Sequence, residues 1–283
     1  MIKIMTDSTV QLTKEEKQAY GITIIPLHVI ADKKEYLDGE DLTKKEFLDL
    51  MNSSKRLPTT SQPSVGAYKQ LFDELGKNGD EILSIHVSGD LSGTYSAAVQ
   101  AAALTSSKVT VFDSGFVDRP MSYQVLTAAE MAKNGASIKN ILQRLEQLKK
   151  RSNFYVAILH LDNLIKGGRI NYALGKVSTF LNIKVVLKWT VKGLDVDTKG
   201  RGLKTISKKL EQVLQEMKSA GPLKEIGITQ VGESLLYETW VTKIKQEFPG
   251  IPVTIGQASS ALAVHAGREA FAISYLPESF QDK

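Results

Sequence analysis

Two segments of the chain place hydroxyl side chains directly before a helical pattern. The first, TTSQPS, contains Thr60 and Ser61, and the second, SGDLSGT, contains Ser92 and Gly93. Hydroxyls and free N–H groups at helix starts bind anions, and ligands of open α/β sheets lie at the carboxyl ends of the strands. The TDS segment near the start follows a predicted strand in the same way. These segments predict an anion site, or else they only cap helices and contribute about 1 kcal/mol each to stability.

The other polar residues form no recognised catalytic or metal-binding motif. Gly168 and Gly175 do not have the spacing of a P-loop, and no Gly-x-Gly-x-x-Gly occurs. Around Ser92, only Gly93 fits the Gly-x-Ser-x-Gly elbow of serine hydrolases. The four histidines are dispersed and form no metal-ligand pair. We therefore expect neither a metal nor a nucleotide cofactor.

One histidine has surroundings unlike those of the other three. His265 lies in SSALAVHAG, a run of small residues between the last two predicted strands, so its imidazole can reach a cleft. His28, His86 and His160 lie in or beside apolar strand patterns. There we interpret each imidazole as a structural group with partners inside the protein.

Strand and helix patterns alternate along the chain. Apolar runs predict strands at 2–5, 22–25, 81–87, 109–112, 154–158, 183–187, 225–229, 253–255 and 271–275. Spacings of three and four predict helices at 42–52, 65–75, 95–104, 123–133, 138–149, 206–217 and 235–248, with Ser64 as one N-cap and Ser92 or a neighbour as another. This alternation is typical of an α/β fold with parallel pairing. A boundary near 149–153 predicts two domains, at 1–151 and 152–283.

Composition narrows the class of protein. The 283 residues include 42% hydrophobic and 24% charged residues and no cysteine, which excludes disulfide, thiolate and iron–sulfur chemistry. We expect no export signal, because the start lacks a basic tip followed by an apolar stretch, and no apolar run approaches the roughly 20 residues that span a bilayer. We expect a soluble cytoplasmic protein.

The basic residues are concentrated in one stretch. Between Lys166 and Lys209 there are eleven basic residues and two aspartates. Such a run is either a solvated helix surface or a docking site for an acidic partner or an anion.

Six short segments, in this order and spacing, resemble the DegV family of bacterial fatty-acid-binding proteins. They are TDS, TSQPS, LSGTY, LIKGGRI, LNIK and the late histidine, and the resemblance runs from end to end. The family includes the binding subunits of fatty acid kinase. The resemblance implies two α/β domains, the first with a parallel sheet, and one long-chain fatty acid between them.

The resemblance also implies which residues hold the ligand. It assigns the carboxylate of a palmitate- or oleate-like fatty acid to Thr60, Ser61, Ser92, Gly93 and His265. A separate kinase subunit would then phosphorylate the carboxyl group with ATP, toward phospholipid synthesis. The resemblance further implies no catalysis by this chain and a monomer. We also expect no cofactor, no nucleic acid and at most transient membrane contact. The basic stretch is where we expect the kinase to dock, with Arg169 and Arg201 as candidates.

The chain departs from the family pattern at three places, two of them beside His265 and one after LNIK. The family's Thr-Gly-Pro-Gly after the late histidine reads Ala-Gly-Arg-Glu here, the usual Gly-Thr before it is absent, and Val185 replaces the proline after LNIK. They leave open whether this chain serves a kinase. Arg268 can pair with the ligand or, as we expect, with Glu269.

Two other functions are considered for the same residues. An acyl or phosphoryl hydrolase would use Ser92 and His265. A nucleic-acid-binding protein would use the basic face, but that face lacks interleaved aromatics and any motif that reads DNA.

Overall fold

The computed structural model describes residues 1–169, 182–190 and 193–278. The chain divides into two compact units. The first unit comprises Met1–Phe47, Ser54–Lys150 and Ser259–Ala261, and the second comprises Leu48–Ser53, Arg151–Ala258 and Leu262–Lys283. The two continuous domains expected from the sequence remain a prediction.

The described residues form mixed α/β structure. The strands are β1 (Ile2–Asp7), β2 (Thr23–Ile25), β3 (His28–Ala31), β4 (Lys34–Leu37), β5 (Thr59–Ser61), β6 (Glu81–His86), β7 (Lys108–Asp113), β8 (Asn153–Ile158), β9 (Ile183–Thr190), β10 (Gly193–Arg201), β11 (Leu223–Gln230), β12 (Val253–Gln257) and β13 (Phe271–Pro277). The helices are α1 (Lys14–Tyr20), α2 (Lys44–Ser53), α3 (Val65–Gly76), α4 (Thr94–Ala102), α5 (Asp118–Lys133), α6 (Ile138–Arg151), α7 (Asp162–Lys166), α8 (Leu203–Ser219), α9 (Leu235–Glu247) and α10 (Ser260–Ala266). Every strand and helix predicted from the sequence is present.

The first unit is built on a parallel sheet with strand order β2-β1-β6-β7. Its strands are runs of apolar residues because a parallel sheet is covered by helices on its faces. Met5 of β1 and Ile82 of β6 are fully buried, and they pack with Tyr68 and Phe72 of α3 and with alanines of α4. The expected parallel sheet is therefore confirmed in this unit, with the carboxyl ends of β1 and β6 at one edge.

A smaller antiparallel sheet, in the order β4-β3-β5, also belongs to the first unit. Its β3–β4 turn holds Asp32 and Lys33 with φ of 47° and 70°, the left-handed region that glycine or asparagine usually occupies. Sequence reasoning missed these three strands because they span only three or four residues and the turn lacks the usual glycine.

The second unit holds a six-stranded sheet with the order β10-β9-β8-β13-β11-β12. Only β11 and β12 pair in parallel in this sheet, and the other pairs are antiparallel. The parallel pairing that the alternation of strands and helices favoured therefore does not extend to most of this sheet, and the parallel sheet lies in the first unit. The reason is that β10 folds back on β9 as a hairpin, while β13 returns from the end of the chain between β8 and β11. Helices α8 and α9 bury Leu210 and Trp240 in the core of this unit.

A buried ion pair ties the start of the chain to α5. The guanidinium of Arg119, 2% exposed, donates to both carboxylate oxygens of Glu16 at 2.8 and 2.6 Å. Glu16 also closes a capping box with Thr13 at the start of α1. The Thr-x-x-Glu spacing is a helix-start signature. It could have revealed α1, which the apolar pattern missed.

Candidate ligand-binding site

The first candidate residues lie on β5. Thr60 pairs with Val29 of β3, and Ser61 pairs with His28. Neighbouring side chains of an extended strand point to opposite faces. Thr60 is half-buried whereas Ser61 is exposed. The two hydroxyls expected to act together therefore point away from each other.

The two hydroxyl-rich segments meet at Gly93. A Cβ atom on this residue would overlap the side-chain amide of Gln62 in its present position, so that amide lies directly against the Gly93 backbone. The structure thus places the TSQPS segment against the SGT segment within the first unit. Sequence reasoning did not single out Gln62, and the only signal for it was its place between Ser61 and Pro63.

The Ser92 hydroxyl lies at the entry to α4. It is 2.8 Å from the Thr94 hydroxyl and accepts the Thr94 N–H at 3.3 Å. The N-cap position itself is Gly93, which has no side chain to cap the helix. The neighbour, and not Ser92, is therefore the N-cap. Ser92 is half-buried, and its hydroxyl stands beside the amino end of a nine-residue helix.

Ser64 acts as a helix cap, which is one of the two roles considered for the hydroxyl-rich segments. Its side-chain oxygen accepts the Ala67 N–H at 3.1 Å and so caps α3, as predicted. The helix ends at Gly76, and Gly79 follows in the left-handed region with φ of 79°.

The TDS segment serves the protein's own packing. The buried Asp7 carboxylate accepts the Val87 N–H at 2.8 Å and lies 3.0 Å from Nδ1 of His86. Nε2 of His86 is 2.6 Å from the Ser84 hydroxyl. All three side chains are fully buried, so the structural interpretation of His86 is confirmed.

Ser8 of the same segment is also engaged inside the first unit. Its hydroxyl donates to Asp38 at 2.8 Å and accepts the Leu27 N–H at 3.0 Å. The other Asp38 oxygen accepts the Ser260 N–H at 2.8 Å. Burial is the main influence on this carboxyl group and raises the pKa of Asp38 above its ordinary value. The Ser8 hydroxyl is therefore occupied by hydrogen bonds within the first unit.

In the second unit, His265 lies on α10 against the turn after α7. A Cβ atom on Gly167 would overlap the imidazole ring of His265. The Asn163 amide donates to the Val264 carbonyl at 2.9 Å and so ties α7 to α10. Glycine at 167 is what allows the ring to pack on the backbone, and the Gly-Gly pair in LIKGGRI was the sequence signal for it.

The same turn carries Arg169. Its guanidinium donates to the Gly167 carbonyl at 2.7 Å. Burial first, and then the positive charge of Arg169, lower the pKa of His265 from 6.5 to about 4. At neutral pH the imidazole is uncharged, so it can donate one N–H to an anion. The structure thus brings together two residues that the sequence assigned to different roles.

The remaining histidines, His28 and His160, each lie beside a glutamate. His28 lies 2.7 Å from Glu35. His160, 42% exposed, pairs with Glu269 at 2.7 Å. The contact that the structure shows for the Glu269 carboxylate is with His160, and its pairing with Arg268 stays a prediction.

Some cations of the basic stretch form ion pairs and others do not. Lys188 pairs with Glu216 at 3.4 Å, and Lys209 pairs with Asp197 at 3.0 Å. Among the described residues of this stretch, the exposed cations without an ion pair include Lys199, Arg201, Lys204 and Lys208. They lie on β10 and the first turns of α8. Lys176 and Lys192 lie outside the described residues.

The described residues hold neither a cluster of metal ligands nor a helix suited to a membrane. In this part of the chain, no group of three or more histidine, aspartate or glutamate side chains could hold a metal ion. Nor is any helix there both long enough and apolar enough to cross a membrane.

Comparison with known proteins covers the whole fold. Residues 1–278 match the family model described as "Uncharacterised protein, DegV family". A DegV domain-containing protein of Streptococcus pneumoniae is 38% identical over 275 residues, covering 96% of this chain and 97% of its own. One from Streptococcus pyogenes is 40% identical over 273 residues, with the same coverage of each chain.

Solved structures show the same likeness. A Bacillus subtilis structure, described as DegV, a fatty acid binding protein, has a TM-score of 0.88 and 28% identity. A Thermus thermophilus structure, described as showing fatty acid binding of a DegV family protein, has a TM-score of 0.84 and 28% identity. Each comparison covers 98% of this chain and 99% of the other. The chain, with its parallel first sheet and its ordered motifs, belongs to the DegV family.

Proposed function

We propose that this protein binds one long-chain fatty acid, of the palmitate or oleate kind. The observation that carries the proposal is the likeness to the fatty acid binding protein of Bacillus subtilis, which extends over 98% of this chain. We assign the carboxylate to five residues: Thr60, Ser61, Ser92, Gly93 and His265.

The local chemistry of these residues supports the assignment. A carboxylate that leaves water needs several donors, because an unpaired buried charge is very costly. The Ser92 and Thr60 hydroxyls and the neutral imidazole of His265 each offer one donor. The Gly93 backbone lies at the start of α4, where the helix dipole favours negative charge. Arg169 adds a positive charge that acts on His265.

The acyl chain provides most of the affinity. Each buried CH₂ group contributes roughly 0.8 kcal/mol, so a sixteen-carbon chain gains on the order of 10 kcal/mol before ordering costs. Removing one hydroxyl donor to the charge costs about 1–3 kcal/mol by comparison. Changes at the carboxylate end therefore weaken binding without abolishing it.

In this proposal the protein is a carrier and not a catalyst. It presents the bound carboxyl group to a separate kinase, which transfers the γ-phosphoryl group of ATP to a carboxylate oxygen and releases ADP and an acyl phosphate. That product enters phospholipid synthesis. Arg169 and Arg201 are the residues that we assign to kinase docking, and the unpaired cations around Arg201 support a surface for an acidic partner.

The first experiment identifies the ligand. The protein is purified from cells, its native and denatured masses are compared, and the organic extract is analysed. We expect one fatty acid of about sixteen to eighteen carbons per chain. An empty protein that also fails to take up added palmitate or oleate would contradict the proposal.

Matched variants locate the carboxylate. Ser92→Ala is expected to weaken palmitate binding by about 1–3 kcal/mol. Ser96→Ala removes an exposed hydroxyl from α4 and should leave the affinity unchanged. Equal affinities for the two variants would remove Ser92 from the site. Ester or phosphate hydrolysis that disappears in Ser92→Ala would instead support the hydrolase hypothesis.

A second pair tests the docking surface. Arg201→Ala should slow kinase-dependent phosphorylation of the bound fatty acid while palmitate affinity stays constant. Lys245→Ala removes an exposed cation outside the basic stretch and serves as the control. Equal phosphorylation rates for the two variants would exclude Arg201 from docking.

A further inference from the structure

The loop that ends in Ser92 and Gly93 is held from the neighbouring strand. Strand β7 runs parallel to β6, and its last residue, Asp113, is the register partner of His86. One Asp113 oxygen accepts the Gly89 N–H at 3.2 Å. The other accepts the Gly115 N–H at 2.8 Å. The carboxylate therefore joins the loop after β6 to the turn after β7.

The contact between Asp113 and Gly89 is close. A Cβ atom on Gly89 would stand 3.1 Å from the Asp113 carboxylate and 3.5 Å from the ring of Tyr95. A side chain at this position would press on the carboxylate. The absence of a side chain lets Asp113 reach the backbone N–H.

Backbone hydrogen bonds of Ser88 hold the rest of the loop, up to Ser92. Ser88 donates its N–H to the Phe116 carbonyl at 2.9 Å. The Ser88 carbonyl then accepts the N–H groups of Leu91 and Ser92, at 3.0 and 3.2 Å. The orientation of Ser88 and Gly89 thus sets the position of the Ser92 backbone.

Lys149 holds the same strand end. Its ammonium group donates to the Asp113 carbonyl at 3.1 Å and lies 5.8 Å from the centre of the Phe112 ring. The Asp113 backbone is therefore fixed by a group outside the loop, so its carboxylate offers the loop a stable acceptor.

We infer that Asp113 is a positioning residue for the proposed carboxylate site, acting through the Gly89 N–H on the loop that carries Ser92. This inference rests on the proposed function. The inference also fixes the sign of the change in palmitate affinity when Asp113 is replaced. Removing a negative charge near an anion site would strengthen binding by electrostatics alone, whereas loss of positioning weakens it.

The test compares Asp113→Asn with Asp41→Asn. Asparagine has only one acceptor oxygen and turns an NH₂ group toward the second N–H. The shorter bond, from the Gly115 N–H at 2.8 Å, should hold the oxygen, so the bond from the Gly89 N–H at 3.2 Å is the one expected to be lost. The control residue also accepts a backbone N–H, from Leu37 at 2.7 Å, but lies in a different loop. Two quantities are measured in each variant: hydrogen exchange of the amides of residues 88–92, without ligand, and the dissociation constant for palmitate.

In Asp113→Asn we expect amide exchange in the loop to quicken and the palmitate dissociation constant to rise, each roughly tenfold. Asp41→Asn should change neither quantity. Gly89→Ala should act in the same direction as Asp113→Asn, and the double variant should add little, because both changes break one contact. Gly89→Ala keeps the test decisive if Asp113→Asn folds poorly.

Unchanged loop exchange in Asp113→Asn would overturn the inference, and so would faster exchange with unchanged or tighter palmitate binding. A wild-type protein that binds no fatty acid would overturn the proposed function instead. The exchange measurement needs no ligand, so the two failures are distinguishable.

Discussion

The uncharged state of His265 leads to a pH dependence that can be measured directly. Burial, followed by the charge of Arg169, lowers its pKa from 6.5 to about 4. Between these two values the unfolded chain binds a proton that the native protein does not bind. The free energy of unfolding therefore falls as the pH is lowered through this window. From pH 7 to pH 5 the expected loss from this residue is about 2 kcal/mol.

The assay is a titration of the imidazole signals by nuclear magnetic resonance. The chain has four histidines, so the signals can be assigned with one variant of each. Chemical denaturation of wild type and His265→Asn at pH 7 and pH 5 then measures the stability term. We expect the wild type to lose about 2 kcal/mol more than the variant between the two pH values.

Either of two results would refute the reasoning. One is a His265 signal that titrates at or above its ordinary pKa of 6.5, which would mean that the imidazole is not desolvated. The other is a wild type and variant whose stabilities fall in parallel. A bound palmitate carboxylate should raise the pKa of His265, because a nearby negative charge favours the protonated ring.

Three further predictions follow from contacts in the first unit. Gly93→Ala should weaken palmitate binding because its Cβ overlaps Gln62, and adding Gln62→Ala should restore part of the affinity measured by calorimetry; no restoration would mean that the contact is unimportant. Thr60→Val should weaken palmitate binding by about 1–3 kcal/mol and Ser61→Ala by less, since the half-buried hydroxyl is the better placed donor; the reverse order in the same titration would exchange their roles. Glu16→Gln should lower the free energy of unfolding by about 3–5 kcal/mol because it removes the charge that Glu16 places against a buried guanidinium; a loss below about 1 kcal/mol in urea denaturation would show that water reaches that guanidinium.

The amino-acid sequence by itself determined the local elements of this protein. Apolar spacing predicted nine of the described strands and the longer helices, because period 2 and period 3.6 are properties of neighbouring residues, but it missed β10, in which charged residues alternate with others. Ser64 was predicted as a cap for the same reason, since the bond to the Ala67 N–H spans only three residues. The ordered motifs were also sufficient to identify the family.

Only the tertiary structure decided which of these elements and side chains meet. The antiparallel position of β13 between β8 and β11 depends on competition among strands far apart in the chain, which no local pattern records. The contact of Gln62 with Gly93 and the bond from Gly89 to Asp113 likewise join residues separated by more than twenty positions. The neutral state of His265 required its burial and the nearby charge of Arg169, both of which arise when the chain folds.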